Sequence, residues 1–294
     1  MKLQYLGTSA AEGVPALFCT CDMCRYARQH GGKEIRTRPG ALIDDMLKLD
    51  FGPDSYLQLL RHGLDYTVLQ AVLITHTHGD HLNTTDLGYR RATFVKTPQD
   101  LPPLPVYGNG ALGGKLERYL KISNALDYHQ LHAFEPVDIA GYRVTPLEAV
   151  HWITHEEGAG FPVVFEGKTY HRDEETLIYL IEKDGESILY AHDSDEFTPR
   201  VMDYLAGKRI RIISLDCTNA DRQFTYVGHM GSDDNLRLRE KLLACGAADE
   251  HTVFVASHFS HQNLLPYEQM QQRMPGFIIA YDGLVVDTRL GVLA

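Results

Sequence analysis

The feature that most constrains this chain is a cluster of histidines and one acid that directly follows a buried strand. The strand is Gln70–Thr75, which is rich in apolar and β-branched residues. It leads into a polar segment that contains His76, His78, Asp80 and His81. Alternate side chains of an extended segment share a face, so His76 and His78 can bind one ion, and a turn then directs Asp80 and His81 toward a second. Imidazole and carboxylate ligands suit Zn, Mn, Fe or Ni rather than Ca or Mg.

Charge limits the partners that such a site can have. Of 294 residues, 39 are Asp or Glu and 28 are Lys or Arg, so the formal net charge is −11. No Lys/Arg run exceeds two residues, and the chain therefore lacks the electrostatic footprint of a nucleic-acid-binding protein. An anionic membrane surface would also repel it. We expect neither nucleic acid nor a membrane as a partner, and an anionic substrate would need bound cations to attract it.

A cysteine cluster near the N-terminus predicts a second metal site. Three of the five cysteines lie within six positions, at Cys19, Cys21 and Cys24. The first residues have no apolar run typical of a secretory signal, so we expect a cytoplasmic protein whose clustered thiolates bind metal. Three thiolates and a fourth ligand make a closed tetrahedral zinc site, and His261 is a candidate for the fourth. A redox or disulfide role for the segment is the alternative.

Strands and helices alternate along the rest of the chain. Leu177–Ala191 is predicted to be a hairpin with an Asp-Gly turn, Asp233–Cys245 a helix, and Phe277–Thr288 a final hairpin around another Asp-Gly pair. Polar residues cluster just after the ends of strands. This pattern predicts an α/β protein with its site at the carboxyl ends of the strands. The length alone would allow two domains, but large α/β folds often exceed it as single units, and we expect residues 1–294 to form a single domain.

The His-x-His-x-Asp-His motif after a buried strand resembles the signature of the metallo-β-lactamase superfamily. The resemblance implies a four-layer αβ/βα sandwich with two metal ions between its sheets. It also implies three later ligands, whose places after strands are matched by His151, Asp193 and His258. A nearby residue could take each of these places, respectively His155, Asp195 and His261. In β-lactamases proper a cysteine takes the place of Asp193, so an acid here favours ester chemistry over lactams.

The chain as a whole resembles the phosphodiesterase subgroup that accompanies carbon–phosphorus lyase (PhnP-type). That subgroup combines an N-terminal Gly-Thr-(Ser/Gly)-Ala, a Cys-x-Cys-x-x-Cys, the full histidine motif and a late His-x-x-His. The corresponding segments here are Gly7–Ala10, Cys19–Cys24, His76–His81 and His258–His261. The resemblance implies one structural zinc at the cysteine segment, and the family suggests a homodimer.

Two more residues follow from a resemblance to the ribonuclease Z and phosphodiesterase groups. These groups place a histidine near the scissile phosphate and orient it by an acid that follows the preceding strand. His229 and Asp216 match these places. His229 would bind phosphate or protonate the leaving alkoxide, and Asp216 would fix its tautomer. The alternatives are a histidine without a chemical task and a purely structural acid. Asp50 is expected to be structural, and the long segment Trp152–Glu175 is either part of the substrate pocket or a plain surface loop.

Together these features predict a metal-dependent phosphodiesterase that cleaves a small phosphodiester, with cyclic esters among the candidates. The resemblance implies that two divalent ions (Mn, Zn, Fe or Ni) hold a bridging hydroxide that attacks phosphorus, and that Asp80 helps to steer it. One ion would be bound by His76, His78 and His151. The other would be bound by Asp80, His81 and His258, with Asp193 as the bridge.

Three other functions compete with this prediction. A thioesterase or lactonase would share the metal ligands, so only substrate profiling separates it. A ribonuclease Z-type enzyme would need a basic arm that grasps RNA, and none is visible in the sequence. A non-hydrolytic protein similar to the pyrroloquinoline-quinone biosynthesis protein would share the cysteine motif. In that relative the histidine motif is degenerate, whereas it is complete here.

Overall fold

The computed structural model describes residues 1–96, 102–151, 161–165, 168–172, 174–222 and 228–293. Strands and helices are numbered in chain order. The strands are β1 (Lys2–Gly7), β2 (Gly40–Ile43), β3 (Leu47–Leu49), β4 (Ala71–Leu73), β5 (Leu104–Gly108), β6 (Leu126–Gln130), β7 (Val137–Ile139), β8 (Tyr142–Glu148), β9 (Phe161–Phe165), β10 (Lys168–Arg172), β11 (Leu177–Lys183), β12 (Glu186–Ala191), β13 (Ile212–Asp216), β14 (Val253–Ser257), β15 (Phe277–Ile279), β16 (Val285–Asp287) and β17 (Gly291–Leu293). The α-helices are α1 (Asp22–His30), α2 (Ser55–His62), α3 (Thr84–Gly88), α4 (Gly110–Ile122), α5 (Pro199–Leu205), α6 (Ser232–Ala244) and α7 (Tyr267–Arg273).

Two large sheets pack face to face in the middle of the molecule. The first has the strand order β17-β16-β1-β2-β3-β4-β5-β6 and the second β15-β14-β13-β12-β11-β8-β7, while β9 and β10 form a separate pair. Their inner faces share one apolar core, to which the first sheet contributes Tyr5 and Ile43 and the second Tyr179 and Ile188. Alternation along each strand leaves the opposite face of each sheet to be covered by helices.

Helices cover both outer faces of this pair of sheets. On the first sheet, Leu112 and Leu116 of α4 pack against the sheet residue Val106. On the second, α5, α6 and α7 bury Val201, Leu238 and Met270 in one apolar cluster, respectively. The order helix, sheet, sheet, helix is the four-layer sandwich that the sequence predicts, so this prediction is confirmed. None of the helices in the described parts of the chain is long and apolar enough to cross a membrane.

Local signals place several elements correctly. The hairpin predicted over Leu177–Ala191 is β11 and β12, and its turn residues Asp184 and Gly185 both have positive φ, as a tight hairpin turn requires. Helix α5 begins after Thr198, whose side chain accepts a hydrogen bond from Val201 N. The helix predicted over Asp233–Cys245 is α6, shifted by one residue.

The hairpin predicted over Phe277–Thr288 is wrong. Its first half, β15, pairs in parallel with β14 in the second sheet, and its second half, β16, pairs antiparallel with β1 in the first. The turn itself is present, but it carries the chain from one sheet to the other. Asp282 accepts hydrogen bonds from Thr8 and Thr37, and Gly283 N donates to Tyr5 O. An Asp-Gly pair predicts a reversal of the chain, but it does not determine which strand pairs next.

The parallel strands of the second sheet bring distant residues to one edge. β12, β13 and β14 run side by side in the same direction, with Ala191 opposite Leu215 and Asp216 opposite Ser257. The residues that follow these strands therefore meet, although they lie far apart in sequence. The end of β4 in the first sheet faces this edge, because Leu177 N at the start of β11 donates to Thr75 O.

Candidate metal centres

Three histidines form the first candidate ligand set at this edge. His76, His78 and His151 each offer a nitrogen within 4.8 Å of the others, and His78 Nδ1 lies 3.3 Å from His151 Nε2. Burial is the main cause that holds the pKa of His76 well below its ordinary value, and burial also lowers the pKa of His151 to about 4. Both imidazoles are therefore neutral at physiological pH, which is the form that binds a metal ion.

A second set lies beside the first and consists of Asp80, His81, Asp193 and His258, whose ligand atoms are also within 4.8 Å of one another. Asp193 Oδ2 lies 2.5 Å from His81 Nε2 and 3.2 Å from His258 Nε2. The same oxygen is 3.8 Å from His76 Nε2, so Asp193 lies between the two sets. Burial acts to lower the pKa of His258, but the carboxylates of Asp193 and Asp216 outweigh it and raise the pKa to about 10.

The alternative acid, Asp195, has a different environment. Its carboxylate accepts hydrogen bonds from the backbone of Glu196 and Gly228, and it belongs to neither ligand set. Burial raises its pKa to about 6. The structure thus brings Asp193 rather than Asp195 between the histidines.

The atoms that face the centre fit metal ions. Four buried atoms form no hydrogen bond of normal geometry among the described residues: Nε2 of His76, His81 and His258, and Oδ2 of Asp193. Asp193 Oδ2 lies in ion-pair contact with the nitrogens of His81 and His258, and all four atoms converge in one place, as the ligand atoms of a metal ion do. A buried polar atom that lacks a good hydrogen bond costs ~1–3 kcal/mol, and a bound ion would remove this cost. Nitrogen and carboxylate donors of this kind would bind Zn, Mn, Fe or Ni.

Other buried groups hold the outer nitrogens of these histidines. Asp50 Oδ2 lies 2.8 Å from His81 Nδ1, and the other oxygen of Asp50 accepts hydrogen bonds from the N–H and hydroxyl of Thr75. On the other side, Thr218 Oγ1 lies 2.8 Å from His258 Nδ1. Engaging Nδ1 leaves Nε2 to face the centre, as metal-binding histidines require. Asp50 is structural, as expected, but what it supports is a candidate ligand.

His229 and Asp216 meet beside the second set. His229 Nδ1 lies 3.1 Å from Asp216 Oδ2 and 3.4 Å from Asp193 Oδ1. Asp216 also accepts hydrogen bonds from the backbone N–H groups of Thr218 and Met230. Burial acts to raise the pKa of Asp216, yet its contact with His229 and the hydrogen bonds around it lower the pKa below the ordinary value. The structure therefore brings together the histidine and the acid that the sequence pairs.

The cysteine cluster forms a separate centre. Cys19, Cys21, Cys24 and His261 offer ligand atoms within 4.8 Å of one another, and His261 Nδ1 lies 3.6 Å from Cys19 Sγ and 3.5 Å from Cys21 Sγ. Cys21 caps α1 and Cys24 lies in its first turn, so the helix begins inside the cysteine segment. All three cysteines are free thiols rather than disulfides.

The two late histidines serve different centres. His258 faces the second histidine and aspartate set, whereas His261 faces the cysteines. His258 has φ of +64°, a left-handed turn that directs the chain away from β14 immediately after the candidate ligand. Of the other candidates, His155 and half of the segment Trp152–Glu175 lie outside the described residues.

Sequence analysis missed one buried acid that contacts the histidine motif. Glu174 accepts hydrogen bonds from Thr77, which lies between His76 and His78, and from Asn109. It lies between β10 and β11, and its partners are 97 and 65 positions away in the chain. No local pattern marks such a residue.

Comparison with known proteins identifies the family. Residues 49–259 match the model of the Beta-lactamase superfamily domain, which is well over half of the chain. The chain belongs to this superfamily. The resemblance predicted from the histidine motif is thus confirmed, and the superfamily is one of metal-dependent hydrolases.

Solved structures share the whole fold of this superfamily member. A diphosphatase from the PhnP family is 24% identical, with 97% of this chain and 95% of that chain covered and a TM-score of 0.72. Zn(2+)-bound PqqB from Methylobacterium extorquens is 18% identical, with 98% and 100% covered and a TM-score of 0.72. The short form of human tRNase Z is 16% identical, with 98% and 99% covered and a TM-score of 0.63. At these identities the likeness establishes the fold alone.

A curated sequence is similar over a shorter stretch. An octanoyltransferase from Porphyromonas gingivalis (strain ATCC BAA-308 / W83) is 37% identical over 90 residues. These residues are 29% of this chain and 17% of the octanoyltransferase. The similarity thus spans about a sixth of the length of that relative.

Proposed function

We propose that this superfamily member is a metal-dependent phosphodiesterase that hydrolyses a small phosphodiester. The observation that carries the proposal is the convergence of buried imidazole nitrogens on the Asp193 carboxylate, in two adjacent ligand sets, with His229 beside them. Two proteins with a similar fold, a diphosphatase and a tRNase Z, provide supporting analogy. The net charge of −11 makes a small phosphate ester a better partner than nucleic acid. A cytoplasmic location and a homodimer belong to the same proposal.

The two ligand sets support a site for two metal ions. One ion would be held by His76, His78 and His151, the other by Asp80, His81 and His258, and Asp193 would bridge the two. When bound, a pair of divalent ions neutralises the charge of a phosphate and lowers the pKa of a water molecule between them. This is how so acidic a chain would attract an anionic substrate. The ions are Mn, Zn, Fe or Ni, since the ligands suit each of them.

The remaining side chains orient the substrate and transfer the proton. Asp80 is a member of the second set and would also steer the attacking water. His229 would bind the phosphate or protonate the leaving oxygen through Nε2, because Asp216 engages Nδ1. Asp216 is held by backbone N–H donors and keeps the tautomer and the direction of His229 constant.

The cysteine centre would hold one structural zinc. Its four candidate ligands are Cys19, Cys21, Cys24 and His261, which leave no open position for a substrate. A zinc ion there would stabilise the segment before α1, and so contribute to folding rather than to turnover.

Hydrolysis of model esters tests the proposal. We expect the protein with added Mn²⁺, Ni²⁺ or Zn²⁺ to hydrolyse bis(p-nitrophenyl) phosphate in preference to mono(p-nitrophenyl) phosphate and to a thioester. Asp193→Ala should abolish this turnover, while Asp195→Ala, which removes an acid two positions away, should retain most of it. Protein shown to carry two ions at the histidine sets but without turnover of any ester would contradict a hydrolytic function.

A second candidate function is hydrolysis of an acyl thioester. The similarity to an octanoyltransferase favours it, because that relative acts on an octanoyl group. The proposed ions and Asp193 would serve a carbonyl ester as well as a phosphate ester. Turnover of an octanoyl thioester that exceeds turnover of the phosphodiester would favour this second function over the first.

A further inference from the structure

We propose that Glu174 is a positioning residue that directs His76 and His78 toward one metal ion. The inference rests on the proposed metal pair, but not on the identity of the substrate. Glu174 lies three residues before β11, on the opposite side of the histidine motif from the ligand sets. Its side chain takes no part in either set.

The carboxylate of Glu174 binds the residue between the two histidines. Glu174 Oε1 accepts a hydrogen bond from Thr77 Oγ1 at 2.9 Å, and both carboxylate oxygens lie 3.0 Å from Thr77 N. Asn109 Nδ2 donates to Glu174 Oε2 at 2.7 Å. Glu174 is only 9% exposed, so little water competes for these hydrogen bonds.

Thr77 lies on the face of the motif opposite His76 and His78, where a group outside the metal site can contact it. Alternate side chains of an extended segment point in opposite directions, so Thr77 points away from the face that His76 and His78 share. The hydrogen bonds from Thr77 to Glu174 therefore hold the backbone between the imidazoles from behind. They restrict how far the two rings can spread when an ion is absent.

Glu174 extends a row of hydrogen bonds that joins the two sheets. The Tyr179 hydroxyl donates to Ile74 O at 2.5 Å, and Leu177 N donates to Thr75 O at 3.0 Å. Glu174 continues this row to the residue between the histidines. The row fixes the end of β4 against the start of β11, so the position of the motif depends on the second sheet.

The other partner of Glu174 is rigid as well. Asn109 caps α4, because its Oδ1 accepts a hydrogen bond from Leu112 N at 3.1 Å, and its Nδ2 donates to the carbonyl of Glu175. The carboxylate thus lies at the N-terminus of a 13-residue helix, where the helix dipole favours negative charge. A glutamine at position 174 would place its NH₂ group against a donor, either that of Asn109 or that of Thr77.

Loss of Glu174 should lower the affinity for only one of the two ions. The second ligand set has supports of its own, because Asp50 holds His81 and Thr218 holds His258. Glu174 contacts neither of these pairs through the hydrogen bonds of the described residues. Loss of Glu174 should therefore weaken the ion bound by His76, His78 and His151 more than the other.

A Zn²⁺ titration measures the selective weakening of this ion directly. The metal-free protein is titrated with Zn²⁺ in competition with a chromophoric chelator, for the wild type, Glu174→Gln and Glu175→Gln. We expect Glu174→Gln to bind one equivalent about 10–100-fold more weakly, as loss of an outer partner of a metal ligand does. The other equivalents, including that of the cysteine centre, should keep their affinity. Glu175→Gln makes the same charge change one position along and should leave every equivalent unchanged.

Two outcomes would overturn the inference. One is wild-type affinity for all equivalents in Glu174→Gln, and the other is equal weakening of both ions at the histidine sets. Thermal unfolding of the metal-free variants gives the second readout. We expect metal-free Glu174→Gln to stay folded but to unfold below the wild-type temperature, by about 2–4 °C for each kcal/mol that the mismatched amide costs. Selective weakening of one equivalent, rather than unfolding, therefore reports the positioning role.

A pair of threonine variants decides the matter if Glu174→Gln does not fold. Thr77→Val removes only the hydroxyl that donates to Glu174, and Thr77→Ser keeps it. We expect Thr77→Val to weaken binding of the same Zn²⁺ equivalent severalfold, with Thr77→Ser close to the wild type. Equal binding by the two variants would contradict the role of Glu174 in holding the motif.

Discussion

The two candidate metal centres of this protein are assembled in opposite ways. The histidine and aspartate centre draws its ligands from the ends of strands in both sheets, over positions 76 to 258. The cysteine centre takes three of its four ligands from Cys19–Cys24, and only one, His261, from elsewhere. The first centre is mostly buried, whereas Cys19, Cys21 and His261 are half-buried.

This difference separates what each metal would do. Strands hold the first set in place before any ion arrives, and outer partners such as Asp50 and Thr218 fix the direction of its imidazoles. Such a centre is organised by the fold, so its ions would serve catalysis rather than folding. In the cysteine centre a short segment has to bring three thiols together, and burial raises the pKa of Cys24 to about 12. At the cysteine centre the metal would instead order the segment Cys19–Cys24.

The largest expected effect comes from the bridging acid of the first centre. Loss of an outer partner of a metal ligand lowers activity by ~10–100-fold. Asp193→Asn should lower hydrolysis of a phosphodiester by more than this, because Asp193 lies between the two ligand sets. It should leave the zinc content of the cysteine centre intact. Metal analysis and initial rates measure both effects, and loss of zinc from both centres would show that they are not independent.

The reverse experiment changes the second centre. Cys21→Ser should release the structural zinc and lower the unfolding temperature, by about 2–4 °C for each kcal/mol lost. The turnover number of the protein that stays folded should be unchanged. Cys245→Ser, at a half-buried cysteine outside the centre, is the control. A fall in turnover number without a fall in stability would give the cysteine centre a part in catalysis.

A smaller effect concerns an outer support of the first centre. Asp50→Asn keeps the shape of the side chain but removes the charge beside His81 Nδ1. We expect about 10–100-fold weaker binding of the ion at the second set, without a change at the cysteine centre. Isothermal titration with Mn²⁺ or Zn²⁺ measures it. Unchanged affinity would mean that the backbone alone holds His81 in place.

The last effect is on stability rather than on metal binding and depends on pH. Lys48 is fully buried and donates to the carbonyls of Leu49 and Asp50, and burial lowers its pKa to about 7, although Asp50 acts to raise it. In the unfolded chain the pKa of lysine is about 10.4, so between these values the unfolded state binds more protons and stability rises with pH. Below pH 7 both states are protonated and the cost of the buried charge is fully present.

Substitution of this lysine isolates the effect. Relative to Lys48→Met, the wild type should gain up to about 1.4 kcal/mol of unfolding free energy per pH unit between pH 7 and 10. Urea unfolding at pH 7, 8 and 9 measures the difference. The exposed Lys121→Met is the control and should show no such slope. A parallel pH dependence of wild type and Lys48→Met would contradict the lowered pKa.

The sequence was most informative where the chemistry is local. The spacing of His76, His78, Asp80 and His81 and that of the three cysteines follows from a few adjacent positions, so both centres could be predicted, together with the superfamily and its sandwich. Hairpin and helix signals located β11, β12 and α6 for the same reason. Each of these patterns is complete within about fifteen residues.

Tertiary structure decided whatever depends on neighbours that are distant in the chain. It brought Asp193 rather than Asp195 between the histidines, sent His258 and His261 to different centres, and divided the final predicted hairpin between two sheets. It also gave Glu174 its partners. The amino-acid sequence by itself determined which groups can bind metal, because spacing and side-chain chemistry are local properties. Which of them meet depends on how two sheets pack, and that is a property of the whole core.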